Sequence, residues 1–159
     1  MCFCYKVSKY NPLFYVDDVF VKNEWTDFSD IGKSFDGEQL TLTEYEKIEN
    51  NYINFVVEIA NVINLSKFRI LDLEIYDSVL WENEQENSLS NLPMLIKDCL
   101  RNKCWCKIHE ESFCLCFGFD FYLHLKCEVD YALVNKISEK NSLYVQKYNN
   151  QLCDKNLNE

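Results

Sequence analysis

The stretch Phe113-Cys-Leu-Cys-Phe-Gly-Phe-Asp-Phe-Tyr-Leu-His-Leu125 is the strongest indication of architecture in this chain of 159 residues. Large apolar residues occupy every second position, and the residues between them are small or carry a polar group. Because neighbouring side chains of a strand point to opposite faces, the alternation predicts one long central strand with an apolar face and a mixed face. An apolar face of that length must be covered, so we expect helices on one side of a sheet.

The residues before this stretch extend it into a hairpin. Residues 104–108 and 113–117 have strand-like composition and flank the polar segment His109-Glu-Glu-Ser112, which is typical of a turn. We expect Ile108 to lie opposite Phe113. That pairing fixes which side chains share a face of the sheet.

The chain contains nine cysteines, an odd number that argues against a disulfide framework. A zinc site is the more specific interpretation of these cysteines, since the pairs Cys104/Cys106 and Cys114/Cys116 could supply four thiolates. The usual zinc spacing is C-x₂₋₄-C, and the expected hairpin pairing directs the two pairs to opposite faces. We therefore expect no metal site, no cofactor, and thiols that act as small apolar side chains. A one-residue slip of the hairpin would remove this objection to zinc.

An amphipathic helix is predicted over residues 44–63. Thr43 followed by Glu46 matches a capping box with Thr43 as the N-cap. Apolar residues then recur with the helical period, and Asn64 suits the left-handed position that ends many helices. The helix also carries four glutamates, which we expect on its solvent-facing side. They are Glu44, Glu46, Glu49 and Glu58.

Shorter elements complete the prediction. Residues 69–76 have the composition of a strand, with Leu71, Leu73 and Ile75 on its packed face. Two further helices are expected over residues 91–102 and 129–138. An edge strand is expected over residues 142–148, and a pair of short strands over residues 14–21. Together the elements predict an α+β fold, a mostly antiparallel sheet with two or three helices packed on one face.

Three Gly and two Pro leave no composition that divides the chain. We expect one domain over residues 1–148 and a polar tail over residues 149–159 that is frayed. The sequence has neither an apolar run of about 18 residues nor a signal-peptide pattern. We therefore expect a cytoplasmic protein that binds no membrane.

The negative charge is concentrated in one half of the sequence. Residues 11–90 contain seventeen carboxylates and five basic residues, a balance of −12, whereas the rest of the chain has nine and eleven, a balance of +2. These balances give the net charge of −10. Such a field repels nucleic acid, whose affinity for proteins comes largely from lysine and arginine contacts to phosphate. It attracts basic proteins, so we expect a basic protein as partner and no nucleic acid.

Two acidic segments beside tryptophan are the candidate partner-binding surfaces. Tryptophan among rim charges is typical of interaction hot spots, and complementary charge speeds encounter. The candidate residues are Asp17, Asp18, Glu24, Trp25, Asp27 and Asp30 in the first segment, and Trp81, Glu82, Glu84 and Glu86 in the second. The alternative interpretation is that these charges only solvate an ordinary surface.

The two histidines, His109 and His124, offer little for catalysis. On a continuous strand His124 lies about 13 Å from Asp120, at roughly 3.3 Å per residue, with Tyr122 between them. Cys116, the nearest thiol on that face, is likewise too far along the strand for a nucleophile–base pair. Phosphate-binding loops and hydrolase motifs are absent, so we expect no catalytic residues and no enzyme. A small enzyme with a site around Asp120, Tyr122 and His124 is the alternative.

Three segments carry a family resemblance: Glu24-Trp-Thr-Asp-Phe-Ser-Asp-Ile-Gly32, Leu42-Thr-Glu-Tyr-Glu-Lys-Ile-Glu49 and Phe117-Gly-Phe-Asp-Phe-Tyr-Leu123. With them the chain resembles the small bacterial immunity proteins that accompany polymorphic toxins, including those of contact-dependent growth inhibition systems. The resemblance implies a cytosolic antidote that binds a cognate toxin domain, often a nuclease, and blocks its active site. It supplies no catalytic residues and transfers no contact residue. We expect an immunity protein acting by stoichiometric occlusion through its acidic surface, with a general acidic interaction module as a further alternative.

Overall fold

The computed structural model describes residues 1–149 and confirms the α+β class, a large antiparallel sheet with helices packed against it. The helices α1, α2 and α3 span Leu42–Val62, Leu92–Leu100 and Tyr131–Lys140. The strands β1 to β11 span Phe3–Ser8, Tyr15–Val16, Val19–Phe20, Ser34–Phe35, Glu38–Gln39, Lys67–Ile75, Glu86–Ser88, Cys104–Glu110, Phe113–Phe117, Leu123–Cys127 and Tyr144–Lys147. The prediction of a frayed tail over residues 149–159 falls, from residue 150 onward, outside the described residues.

Seven strands form the main sheet in the order β11-β1-β10-β9-β8-β6-β7, and every pair is antiparallel. The short pairs β2–β3 and β4–β5 are separate hairpins. One face of the sheet supplies the core: Tyr5 and Val7 of β1 lie opposite Leu125 and Leu123 of β10, and all four side chains are buried. The sequence prediction omits β1, although its alternation of Tyr5 and Val7 with polar or small neighbours is that of a half-buried strand. Within residues 1–149, no helix has both the length and the apolar character needed to cross a bilayer.

Helix α1 begins two residues earlier than predicted. Thr41, not Thr43, is the N-cap, and its hydroxyl accepts from the backbone N–H of Glu44 in a complete capping box. Both threonines are followed three residues later by a glutamate, so the motif alone does not choose between them. Burial distinguishes them. A hydrophobic staple pairs the residue before the N-cap with the residue four positions after it, and for Thr41 these are Leu40 and Tyr45, which are both buried.

The end of α1 confirms the expected role of Asn64. Its φ is 55°, in the left-handed region. The backbone N–H of Leu65 donates to the carbonyl of Ala60 at 2.8 Å, and that of Asn64 donates to the carbonyl of Asn61 at 3.1 Å. These two bonds form a Schellman motif, which satisfies the last carbonyls of the helix.

The prediction of one continuous strand from Phe113 to Leu125 is wrong. The chain reverses at residues 118–122, and the two halves pair with each other as β9 and β10, with Phe117 opposite Leu123. Phe121, inside the reversal, remains buried, so the alternation of apolar residues continues through the turn and conceals it. The β8–β9 pairing also differs from the prediction, because Ile108 lies opposite Leu115.

A bulge divides β6, and the predicted packed face is wrong for the part of the strand before it. Asp72 has a φ of 53°, and the register with β8 shifts by one residue between Leu71 and Glu74. Phe68 and Ile70 are the fully buried residues of the strand. The predicted packed set consists of Leu71 and Leu73, which are half-buried, and Ile75, which is exposed. The extra residue reverses the alternation beyond it, so Ile75 lies opposite Cys104 on the core face, whereas Leu71, before the bulge, lies on the other face. A period-2 pattern cannot anticipate this change.

An ion pair joins α1 to the end of α2 and corrects the prediction for Glu49. Its carboxylate is buried and accepts from Arg101 Nε at 2.9 Å and from an Arg101 terminal nitrogen at 2.8 Å. Glu46 accepts from the same terminal nitrogen at 3.2 Å. The guanidinium carbon of Arg101 lies 5.2 Å from the ring centroid of Phe28. Glu49 therefore faces the interior because a cation from another helix meets it there.

Replacement of Arg101 by Met should lower the free energy of unfolding by about 3–5 kcal/mol, because it leaves the buried Glu49 carboxylate without its cation. Urea denaturation followed by circular dichroism measures this change. Glu46→Gln is the matched control, since Glu46 is partly exposed, and should cost less than about 1 kcal/mol. The double variant Arg101→Met/Glu49→Met should recover most of the loss. A single-variant loss no larger than the control's would show that the pair does not support the helix packing.

Candidate functional site

Trp25 is not a surface anchor, contrary to the prediction. Its side chain is 8% exposed, and its ring centroid lies 5.3 Å from that of Tyr45 and 5.0 Å from that of Phe121. The segment that carries it has no regular period, so the sequence could not show which way the indole points. The loop does fold back onto the body as an apolar-rich loop must. Trp25 is therefore part of the core and cannot insert into a partner.

Glu24 forms an ion pair with Lys9 inside the molecule. The ammonium of Lys9 lies 4.1 Å from the ring centroid of Trp25, 4.2 Å from that of Tyr10, and 3.6 Å from a carboxylate oxygen of Glu24. Burial lowers the pKa of Lys9 to about 8, and the Glu24 carboxylate opposes this shift without cancelling it. The fold thus contains a cation held between two aromatic rings and a carboxylate.

Asp27 and Asp30 fix the loop between Trp25 and β4. Asp27 accepts from the backbone N–H and the hydroxyl of Ser29 and from the side-chain amide of Asn102. Burial opposes ionisation of Asp27, but these hydrogen bonds outweigh it and lower the pKa of the carboxyl. Asp30 accepts from the backbone N–H of Thr26 at 3.0 Å and pairs with Lys33 at 2.9 Å. Two of the predicted partner-binding carboxylates therefore also have structural roles.

Only part of the second acidic segment, residues 81–86, is exposed where a partner could contact it. Trp81 is half-buried against the core, and its indole N–H donates to Asp98 at 2.8 Å. Glu86 pairs with Lys67 at 3.1 Å. Glu82 and Glu84 are exposed. The predicted tryptophan anchor is thus turned inward, while carboxylates stay at the surface.

Asp17 and Asp18 lie together at the tip of the β2–β3 hairpin and are exposed. Their φ values of 49° and 61° identify a two-residue type I′ turn, which aspartate tolerates better than most residues. Exposed apolar side chains surround the tip, a feature that the sequence analysis missed. They are Leu13, Phe14, Val16, Val19 and Val21. The run Pro12-Leu-Phe-Tyr-Val16 contains the signal, since no polar residue alternates with its apolar ones.

The hairpin is attached to the body through tyrosines. The Tyr15 hydroxyl forms a hydrogen bond with that of Tyr122, and the Phe20 ring centroid lies 4.8 Å from that of Tyr10. Burial, together with the hydrogen bond between the Tyr122 and Tyr15 hydroxyls, raises the pKa of the Tyr122 phenol. Tyr122 belongs to the β9–β10 reversal, so the hairpin and the reversal are neighbouring parts of one surface.

The reversal at residues 118–122 has an unusual backbone that tyrosines hold in place. Asp120 and Phe121 have φ values of 58° and 68°, a strained pair because an aromatic residue rarely adopts the left-handed region. The Tyr10 hydroxyl donates to the Asp120 carbonyl at 2.6 Å, and the Tyr52 hydroxyl donates to the Phe121 carbonyl at 2.8 Å. Phe119 is left pointing outward, 93% exposed.

A cleft of about 790 Å³ opens beside the reversal. It is within the usual size range of ligand-binding sites. Aromatic side chains and carboxylates from several elements line it. They include Tyr76, Trp105, Phe117, Phe119 and Tyr122, with Asp27, Glu74 and Asp120.

The cleft brings together Asp120, Tyr122 and His124, the alternative catalytic site. The predicted separation along one strand does not apply, because the chain reverses between them. Cys116 of β9 lies directly opposite His124 of β10, which corrects the expectation that they are distant. Their Cβ atoms are therefore about 5 Å apart, as in any cross-strand pair. A Cβ on Gly118 would lie 2.7 Å from His124 Nε2, so this position accepts only glycine without rearrangement.

The cysteines divide as expected between the two faces of the sheet. The change in β8–β9 register is an even number of residues, so Cys104 and Cys106 still face the core and Cys116, opposite Lys107, faces away. The Cys99 sulfur lies 3.8 Å from those of Cys104 and Cys106. Across residues 1–149, no group of three or more His, Cys, Asp or Glu side chains has an arrangement able to hold a metal ion.

Comparison with known proteins finds no matching family model, no matching curated protein and no matching solved structure. The function proposed below therefore rests on the geometry of the hairpin, the charge of the protein and the sequence resemblance.

The buried Lys9 should make stability depend on pH. Its pKa is about 8 in the folded state and 10.5 when exposed, so between these values the unfolded chain binds more protons and stability rises with pH. Relative to Lys9→Met, the wild type should gain about 2 kcal/mol of unfolding free energy between pH 7 and pH 9.5. Urea denaturation of both proteins at the two pH values measures the difference. A difference that does not change with pH would show that Lys9 is not buried as a charge.

Removal of the Tyr10 hydroxyl should loosen the reversal. Tyr10→Phe should cost about 1 kcal/mol of stability and increase hydrogen exchange of the amides at residues 118–122, because the Asp120 carbonyl loses its donor. Hydrogen exchange read by NMR locates the change. Tyr144→Phe, at the sheet edge, is the control and should leave exchange at the reversal unaltered. Equal exchange in both variants would contradict the role of this bond.

Proposed function

We propose that this chain is an immunity protein, which binds the toxic domain of a cognate bacterial toxin and neutralises it by stoichiometric occlusion. The observation that carries the proposal is the β2–β3 hairpin, where exposed apolar side chains surround two carboxylates. Contiguous exposed apolar surface is typical of a site that another protein covers. An acidic tip within it favours a basic partner.

The net charge of −10 supports the same type of partner. Carboxylates that bind within the fold, such as Glu49, add little to the field at a partner's surface. Asp17, Asp18, Glu82 and Glu84 are exposed and contribute to it directly. A negative field of this kind raises the rate of encounter with a basic domain and repels nucleic acid. A toxin that itself binds nucleic acid presents the basic surface that this field would meet.

The sequence resemblance to immunity proteins supports the proposal independently of the charge. Its three segments coincide with the loop that carries Trp25, the start of α1 and the β9–β10 reversal. These segments meet in the fold, since the Trp25 ring packs on Tyr45 of α1 and on Phe121 of the reversal. The resemblance therefore involves one connected part of the core, beside the proposed binding surface.

A small enzyme acting in the cleft is the second candidate, because the fold sets Cys116 opposite His124. A nucleophile beside a histidine is the arrangement that thiol enzymes need. Against it, Cys116 is 4% exposed, and the raised pKa keeps the Tyr122 phenol protonated, so Tyr122 is not a general base at neutral pH. A binder that turns over no substrate accounts for the exposed hairpin, which an enzyme does not require.

If the gene immediately upstream of this one encodes a large secreted protein, the variable C-terminal domain of that protein is the partner to test. Co-expression with that domain should restore growth, and the purified proteins should form a complex that saturates at one equivalent. Growth arrest that persists while both proteins accumulate in folded form would overturn the proposal. An acidic interaction module without a dedicated partner would bind unrelated basic proteins equally well.

Removal of charge at the hairpin tip should slow association. Asp17→Asn/Asp18→Asn keeps side chains that tolerate the left-handed turn and should reduce the association rate constant with the toxin domain about threefold to tenfold at low salt. The effect should disappear near 0.5 M salt because of screening. Stopped-flow fluorescence measures the association rate constants of the wild type and the variant at both salt concentrations.

The matched control is Glu128→Gln/Glu139→Gln, which removes the same charge from two exposed positions outside the hairpin. It should alter the association rate constant less than the tip variant does. Equal rate constants for the two variants would exclude the hairpin tip as the contact surface.

A further inference from the structure

We propose that the cleft beside the β9–β10 reversal binds the guanidinium group of an arginine side chain that the partner presents. The proposal rests on the proposed function for the identity of the partner. It names the side-chain chemistry that the cleft recognises, which the acidic surface alone does not specify.

The walls of the cleft have the two components that a guanidinium requires. Asp27, Glu74 and Asp120 supply carboxylates. Trp105 and Phe119 supply aromatic surface, on which a planar cation stacks more favourably than a hydrated ammonium. Neither component favours an anionic or a neutral polar ligand.

The positive groups of the cleft weaken this preference only slightly. Lys107 lines it, but its ammonium lies 2.8 Å from the carboxylate of Asp72. His124 also lines the cleft. Glu74 accepts from the Tyr76 hydroxyl, and its carboxylate has lone pairs left to accept a further donor. The carboxylates therefore determine the sign of the potential in the cleft.

The fold already binds one guanidinium in this way. Arg101 is held by the carboxylates of Glu49 and Glu46, while its guanidinium carbon lies 5.2 Å from the ring centroid of Phe28 and 5.9 Å from that of Tyr45. The cleft repeats this combination of aromatic rings and carboxylates at Phe119 and Asp120, both of which are exposed.

The position of the cleft indicates a protein as the source of the arginine. The Tyr15–Tyr122 hydrogen bond joins the hairpin to the wall of the cleft. A partner seated on the exposed apolar residues of the hairpin therefore lies next to the opening. At about 790 Å³, the cleft has room for a side chain and part of the backbone that carries it.

The test uses Nα-acetyl-arginine amide as the probe and its neutral analogue Nα-acetyl-citrulline amide as the control, each titrated into ¹⁵N-labelled protein. The indole N–H of Trp105, which donates to the Phe117 carbonyl at 2.8 Å, reports on the cleft. The indole signals of Trp25 and Trp81 serve as internal references. The Trp105 signal should shift saturably with the arginine probe, and the citrulline probe should bind at least about tenfold more weakly.

Variants locate the site. Asp120→Asn and Glu74→Gln should each weaken binding of the arginine probe about threefold to tenfold, because each removes one charged acceptor. Glu82→Gln and Glu84→Gln, exposed outside the cleft lining, should leave it unaltered. Equal shifts with both probes, no shift at Trp105, or full binding by Asp120→Asn/Glu74→Gln in a well-dispersed spectrum would each overturn the inference.

The toxin domain separates this inference from the proposed function. If wild-type protein rescues growth and Asp120→Asn/Glu74→Gln binds the domain with unchanged affinity, the arginine site is wrong and the immunity function stands. If the wild type fails to rescue growth while the arginine probe still binds in the cleft, the proposed function fails. Loss of affinity in the double variant, with rescue by the wild type, supports both.

Discussion

The sheet depends on the reversal of the chain at residues 118–122, and the reversal depends on two phenolic hydroxyl groups. Without it, β10 would not lie between β9 and β1, and the order of the sheet would be lost. Tyr10 and Tyr52 donate to the carbonyls of two consecutive left-handed residues, one of which is a phenylalanine. Backbone strain of this kind persists where surrounding contacts over-determine it. The burial of Phe121 among Trp25, Tyr45 and Tyr52 supplies those contacts.

The acidic residues of this protein perform two different tasks. Glu24, Asp27, Asp30 and Glu49 each bind a cation or a donor within the fold, and they hold loops and helices in place. Exposed carboxylates such as Asp17, Asp18, Glu82 and Glu84 give the surface its field. Net charge alone does not distinguish these tasks. The negative field at the surface is therefore weaker than the composition implies.

Much of the architecture follows from local patterns. The fold class, α1 with the left-handed Asn64, and the short strands around Asp17 and Asp18 are all confirmed, because caps, turns and periodicity act over a few residues. The reversal was hidden because Phe121 continues the alternation, and Gly118 was its one local sign. Trp25 and Glu49 were misplaced for another reason: a residue in an irregular loop, or opposite a cation from a distant helix, is oriented by contacts that spacing does not encode.

Under the proposed function, the β2–β3 turn separates recognition from folding. Its backbone needs two residues that tolerate a positive φ, and asparagine and glycine meet that need as well as aspartate does. The charge at the tip can thus be altered while the hairpin keeps its geometry, and the apolar residues beside it are exposed, so they contribute little to the core. A scaffold with this property can acquire specificity for a different partner through a few substitutions, without loss of the conformation that presents them.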